Sequence, residues 1–260
     1  MITLKSEREL DRIRVACRIV AEALELIRSL AKPGVTTGLL DKEVEKRIIE
    51  RNAEPAFKGY GGSPKRPPFP ASICTSVNDE VVHGIPGPRV LCEGDVLSVD
   101  VGARCGGYYG DSALTVGIGK VSPLAQRLMQ ACREALLLGI EAAGPGKRVS
   151  DISRAVQGHV EAHGFSVVRD LVGHGIGSSL WEDPQVPNFY NPKARDAVLR
   201  PGMVIAIEPM ITAGGWKVKT LGNHWTVVSR DGSLAAHFEH TVCITGQGVE
   251  VLTVLPGNKE

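Results

Sequence analysis

Aromatic residues are scarce in this chain, 5% of 260, so the stacking platforms that hold single-stranded nucleic acid have little to be built from. An excess of charge is missing as well: 30 Lys and Arg stand against 29 Asp and Glu, a formal balance of +1. A surface so balanced is a poor partner for a polyanion, which argues against direct nucleic-acid recognition. No stretch approaches the roughly 18 consecutive apolar residues of a membrane span. Met1 to Lys5 runs straight toward a helix rather than into an apolar leader, and nothing supports a membrane partner. The six cysteines (Cys17, Cys74, Cys92, Cys105, Cys132 and Cys243) include no CxxC pair. Without a leader, that usage predicts six reduced thiols and a cytoplasmic location.

Glycine, by contrast, is plentiful at 30 residues without collagen periodicity, implying tight turns and close backbone approaches. With 43% hydrophobic residues the chain can bury one large core or two fused halves. Ser6 and Glu9 have the spacing of a capping box. Behind them Leu10, Ile13, Cys17, Val20, Leu24 and Ile27 recur at helical intervals, predicting a helix of roughly six turns with one buried face. Pro33-Gly34 ends it. Thr37 is the candidate cap of a second helix whose Leu40, Val44 and Ile48 share a face. The proline-rich stretch from Gly61 to Ala71 cannot be helix or central strand and reads as a surface loop near one rim.

The pattern then restarts. Ser122-Pro123 suits a helix start, and Leu124, Leu128, Cys132, Ala135 and Leu138 continue it. Pro145-Gly146 echoes Pro33-Gly34 at an offset of 112, and Ile152, Val156 and Val160 echo Leu40, Val44 and Ile48 at the same offset. Gly202, Val204 and Glu208 repeat Gly94, Val96 and Asp100 at an offset of 108. Such echoes predict a duplicated helix-helix-strand-strand unit. The expected architecture is a single α+β domain over 1–260, with pseudo-symmetric halves at about 6–120 and 121–250 closing on one mixed curved sheet.

Four acids stand where acids are rare. Asp100 lies inside the apolar run Val96–Val101, where an unpaired carboxylate is costly to bury. Asp111 follows one hairpin later. Glu208 ends the apolar run that begins at Met203, and Glu239 opens another before His240. His174, between Gly173 and Gly175, sits where the backbone can approach closely and leave its ring exposed. Four carboxylates and one imidazole form an oxygen-rich set suited to divalent Mn, Co, Fe or Zn rather than to a thiolate-bound structural zinc. Five side chains exceed what one catalytic ion needs and suit two ions sharing carboxylates. The competing reading makes His174 a core histidine and the acids turn caps, which requires four independent coincidences.

The segments NDEVVHGIPG, GDVLSVDVG, GYYGDSALTVGIG, GHGIG, EDPQVPN, PGMVIAIEPM and FEHTV make the sequence resemble type I methionine aminopeptidase over essentially its whole length. The resemblance implies the pita-bread fold and removal of the initiator methionine, with a small second residue preferred. It implies two divalent ions on Asp100, Asp111, His174, Glu208 and Glu239, with Asp111 and Glu239 bridging. His83, in VVHG, falls on a histidine that contacts substrate, and Glu208 is the expected proton carrier. Tyr60, Cys74 and Trp225 fall on the methionine pocket, with Leu180 where an aromatic is common. The implied partners are the N-termini of nascent polypeptides at the ribosome, and the implied state is a monomer. One position departs: a second active-site histidine is expected seven residues after His174, and Trp181 stands there. An X-Pro aminopeptidase-like hydrolase shares the metal set, and a catalytically silent peptide-binding relative would tolerate Trp181; both remain open at this point.

Overall fold

The first helix begins where its capping residues place it. In the computed structural model, which describes residues 2–64 and 66–255, the Glu9 carboxylate accepts the Ser6 backbone N–H at 2.8 Å and its hydroxyl at 2.7 Å. Helix α1 (Glu7–Leu30) buries the predicted apolar face. Helix α2 (Thr37–Glu50) is capped by Thr36, whose hydroxyl accepts the Leu39 N–H at 3.2 Å. The expected cap, Thr37, is displaced by one residue because Gly87 engages it: its hydroxyl donates to the Gly87 carbonyl and accepts the Gly87 N–H.

Five strands complete the first half: β1 (Glu54–Pro55), β2 (Ile73–Val77), β3 (Glu80–Val82), β4 (Val96–Cys105) and β5 (Tyr108–Gly117). Strand β4 is central, with β5 along one side and β2 and β1 sharing the other. Gly106 and Gly107, both at positive φ, make the β4–β5 turn that few other residues would tolerate. The register sets Asp100 opposite Ala113 and Gly102 opposite Asp111. Diagonal neighbours of an antiparallel pair project to the same face, so Asp100 and Asp111 point the same way.

The second half again opens with two helices, α3 (Pro123–Ala142) and α4 (Val149–Ala162). The Ser122 hydroxyl caps α3 by accepting the Ala125 N–H at 3.2 Å. Then come β6 (Ser166–Val167), β7 (Val172–Gly175), β8 (Glu182–Pro187), β9 (Val204–Ile207) and β10 (Met210–Thr212). They are followed by β11 (Val218–Thr220), β12 (Val227–Ser229), β13 (Ala235–His237), β14 (His240–Ile244) and β15 (Val249–Val251). Strands β15, β14, β9, β7 and β8 form one sheet in that order. Strands β13, β10 and β6 form another, and β3 crosses from the first half to extend the β11–β12 hairpin.

The α+β class is as expected, but the single mixed sheet is not. Among the described residues the ladders fall into four sheets, and the registers are antiparallel throughout. Irregularities at His174/Gly175 and Val227/Val228 interrupt pairing, bending strands away from a continuous sheet as bulges do. The halves are sewn together across the β5 edge. Ser112 and Thr115 donate to the carbonyls of Glu239 and His237, and Thr241 donates to the Asp111 carbonyl at 2.7 Å. A continuous apolar core joins Val20 and Leu40 to Val99, Ile152, Ile207 and Val242. All six cysteines are free, and no helix among the described residues is long and apolar enough to cross a membrane.

The proline-rich stretch is largely exposed, as a surface loop should be, but it is docked near its end. Phe69 is buried, the Trp225 indole N–H donates to the Pro67 carbonyl at 2.9 Å, and the Arg66 guanidinium lies 4.0 Å over the Trp225 ring. Prolines keep this chain out of any sheet, yet one phenylalanine and one carbonyl suffice to dock it against the second half. Lys65 lies outside the described residues.

Candidate metal centre and substrate cavity

A cavity of about 470 Å³ opens between the halves, and Asp100, Asp111, His174, Glu208 and Glu239 all line it. Four local causes bring them there. The β4–β5 register delivers the two aspartates. His174 stands on β7, where a Cβ added at Gly175 would come within 2.2 Å of the Asp183 carbonyl, so only glycine lets β8 pack that closely. Glu208 leaves the end of β9, and its carbonyl is held by Asn188 at 2.9 Å. Glu239 enters between β13 and β14 with its N–H bonded to the Ala113 carbonyl.

The side chains converge. His174 Nε2 is 3.6 Å from Glu208 Oε1 and 3.9 Å from Asp111 Oδ2. Donor atoms of Asp111, His174 and Glu239 lie within 4.8 Å of one another, and so do those of Glu208, His237 and Glu239. Asp111 is 3% and Glu239 2% exposed, and one oxygen each of Asp100, Asp111 and Glu239 is buried without a hydrogen-bond partner. Four such carboxylates repel one another in a low-dielectric site. Burial raises Asp100 to about 6 and Glu208 to about 7. Burial, then the neighbouring carboxylates, pushes Asp111 and Glu239 well above the usual range. Orphaned oxygens and raised pKa values are the signs expected of a hard-cation site, so the residues fit divalent metal. The His174 Nδ1, 2.9 Å from the Gly175 carbonyl, donates there in the tautomer that frees Nε2 as a ligand.

One wall of the cavity is apolar, while Asp170, Asp183 and Gln185 line it elsewhere. Tyr60, Cys74, Leu180 and Trp225 line the cavity, together with Phe57 and Phe69. Burial raises the Cys74 thiol well above its usual range. Trp181 is 51% exposed at the mouth, its ring 5.3 Å from Tyr60 and 6.0 Å from His174. His83 also lines the cavity and carries φ +59, an uncommon conformation for a non-glycine residue. Burial and the charges of His237 and Arg66 lower its pKa to about 4, which leaves a neutral imidazole at neutral pH.

Sequence reasoning missed Phe57, Phe69 and His237. The phenylalanines sit in irregular segments without periodicity. His237 lies two residues before Glu239, and nothing local separates it from an ordinary strand histidine.

Residues 11–246 match the model of metallopeptidase family M24. The chain belongs to that family. Within M24 it groups with the type I methionine aminopeptidases. It is 51% identical over 255 residues to the methionine aminopeptidase of Clostridium acetobutylicum, covering 98% of this chain and 99% of the relative. The crystal structure of the Thermotoga maritima methionine aminopeptidase superposes with a TM-score of 0.93 at 43% identity, covering 98% of this chain and 100% of that one. The Pyrococcus furiosus prolidase shares the M24 fold at a TM-score of 0.76 and 23% identity, and this chain spans 65% of its length. That comparison carries architecture only, whereas the close relatives carry the metallopeptidase family and its fold.

Proposed function

We propose that this chain hydrolyses the peptide bond after an N-terminal methionine, preferring a small second residue, with two divalent ions on Asp100, Asp111, His174, Glu208 and Glu239. The observation that carries this reading is the union of an apolar slot with five converging ligand-type side chains in one cavity. Asp111 and Glu239, the most deeply buried of the four acids, would hold metal together with Asp100, His174 and Glu208. The oxygen-rich donor set supports Mn, Co, Fe or Zn.

Ions bound there supply Lewis acidity and bring a water's pKa toward neutrality. The chain's own groups do the remainder. The methionine side chain, unbranched and polarisable, lies among Phe57, Phe69, Cys74, Leu180 and Trp225, where sulfur–aromatic contacts are favourable. Glu208 takes a proton from the attacking water and returns it to the leaving amine. His83, neutral and fixed by its own backbone, donates to the oxygen on which negative charge develops. Tyr60 and Trp181 form the rim that shields the site from bulk water.

Every proposed ligand comes from one chain, which supports a monomer. Six free thiols support a cytoplasmic enzyme, and the activity of its relatives supports the N-termini of nascent polypeptides at the ribosome as its substrates. The test is cleavage of Met-Ala-Ser against Ala-Pro-type peptides by apoprotein reconstituted with Mn, Co, Fe or Zn. Release of methionine with at least one of these ions is expected. Cleavage of only the Ala-Pro peptides would favour the X-Pro reading, and no cleavage of either would favour a silent peptide-binding relative.

A further inference from the structure

Among the described residues, one buried imidazole in the cavity has no part in the mechanism above. His237 is 1% exposed, and its Nε2 makes no hydrogen bond within strict geometry. It faces Glu208 Oε2 at 3.5 Å, while Glu208 Oε1 faces His174 at 3.6 Å. The two oxygens of one carboxylate are thus divided, one toward the His174 ligand position and the other toward a second histidine.

His237 is also rigidly held. Its N–H donates to the Thr115 hydroxyl at 3.0 Å, and that hydroxyl donates to the His237 carbonyl at 2.6 Å. Ser98 on β4 meets Thr115 on β5 at 2.8 Å. The strands that present Asp100 and Asp111 therefore fix His237 as well. The other histidine cluster, Glu134, His159 and His163, does not line the cavity. There His159 pairs with Glu134 at 3.0 Å and His163 Nδ1 lies 2.8 Å from the His159 carbonyl.

Resting on the proposed metal site, we propose that His237 is a positioning residue for Glu208: its Nε2–H donates to Oε2 and turns Oε1 toward the ion shared with His174. A buried carboxylate free to rotate between two binding modes loses ligand geometry, and a fixed donor on its second oxygen removes that freedom. Outer partners of this kind change metal affinity by about 10–100-fold. His237 also fixes the carboxylate that carries the proton, so its loss acts on turnover through Glu208 rather than by contact with substrate.

The experiment is a cobalt(II) titration of apoprotein followed by visible absorption and calorimetry. Wild type, His237→Gln and His237→Leu are compared, with near-UV circular dichroism confirming the fold of each. His237→Leu should bind the weaker ion about 10–100-fold less tightly with an altered cobalt spectrum. His237→Gln, which keeps a donor, should stay within a few-fold of wild type. Equal affinities in all three proteins would overturn the proposal. So would a glutamine variant as weak as the leucine variant, because His237 would then be a ligand itself. Long-range proton–nitrogen spectra of zinc-loaded wild type need no variant: His237 Nε2 should remain protonated, and a metal-bound Nε2 overturns the assignment. Failure of wild type to bind any ion would instead strike the metal site itself.

Discussion

The Trp181 ring stands edge-on to Tyr60, with centroids 5.3 Å apart and an interplanar angle of 64°. The tryptophan at the expected second-histidine position is therefore a wall of the cleft and neither a hydrogen-bond acceptor nor a titrating group. The proposed ligand set and His83 are intact behind it. The account predicts a working but slowed aminopeptidase. Trp181→His should raise kcat/KM on Met-Ala-Ser by about 10-fold, equivalent to about 1.4 kcal/mol of transition-state stabilisation. An unchanged kcat/KM would refute this role for the position. Activity appearing only in the variant would mean that the wild-type chain is silent.

Metal uptake should release protons. Asp100 sits at about 6 and Glu208 at about 7, with Asp111 and Glu239 also raised. The metal-free protein therefore holds protons near pH 6 that bound cations displace. Affinity must tighten as pH rises from about 5 to about 7.5, because fewer protons then compete. Calorimetry in two buffers of different ionisation enthalpy should show net release of about one or more protons at pH 6. Buffer-independent heats would contradict the buried, mutually repelling carboxylates.

His83 should stay neutral far into acid. Its pKa of about 4, below the usual 6.5, follows from burial first and from His237 and Arg66 next. A depressed folded-state pKa gives stability that is complete above the unfolded value, declines as pH falls from 6.5 and is gone below about 4. Nearby divalent cations act in the same direction. Proton NMR of the His83 ring should give a midpoint near 4. A midpoint between 6 and 7 would remove the neutral donor from the proposed mechanism.

Much of this site was legible because its acids break the local apolar pattern. Asp100 within Val96–Val101 and Glu208 after Ile207 announce themselves by being costly to bury. The capping box at Ser6 and the helical echoes were equally plain. The sheet organisation was not, because a two-residue periodicity says which face a strand buries and not which strand it meets. Thr36 and Thr37 are chemically equivalent in sequence, and only Gly87 distinguishes them. The docking of Phe69 and Pro67 on Trp225 depends on a contact 158 residues away, beyond the reach of local pattern.

The pairing of Lys5 with Glu182 was likewise invisible from sequence spacing. Their charged atoms are 2.5 Å apart, with side chains only 5% and 13% exposed. The pair ties the chain ahead of α1 to the strand that begins directly after Trp181. Lys5→Met leaves the Glu182 charge buried without its partner, a change that typically costs about 3–5 kcal/mol. Denaturant titration should show a loss of this order, with a smaller loss for Lys5→Met combined with Glu182→Gln. Equal losses would show that packing, not the charge pair, dominates.

The most direct test of the central claim is an anomalous-difference map from crystals grown with manganese or cobalt, collected at the absorption edge of the metal used. The account predicts two peaks about 3.5 Å apart, with Asp111 and Glu239 between them, His174 and Glu208 on one ion and Asp100 on the other. Metal-replete crystals with no peak among these carboxylates would contradict the metal centre, and a single peak would contradict the bridged pair.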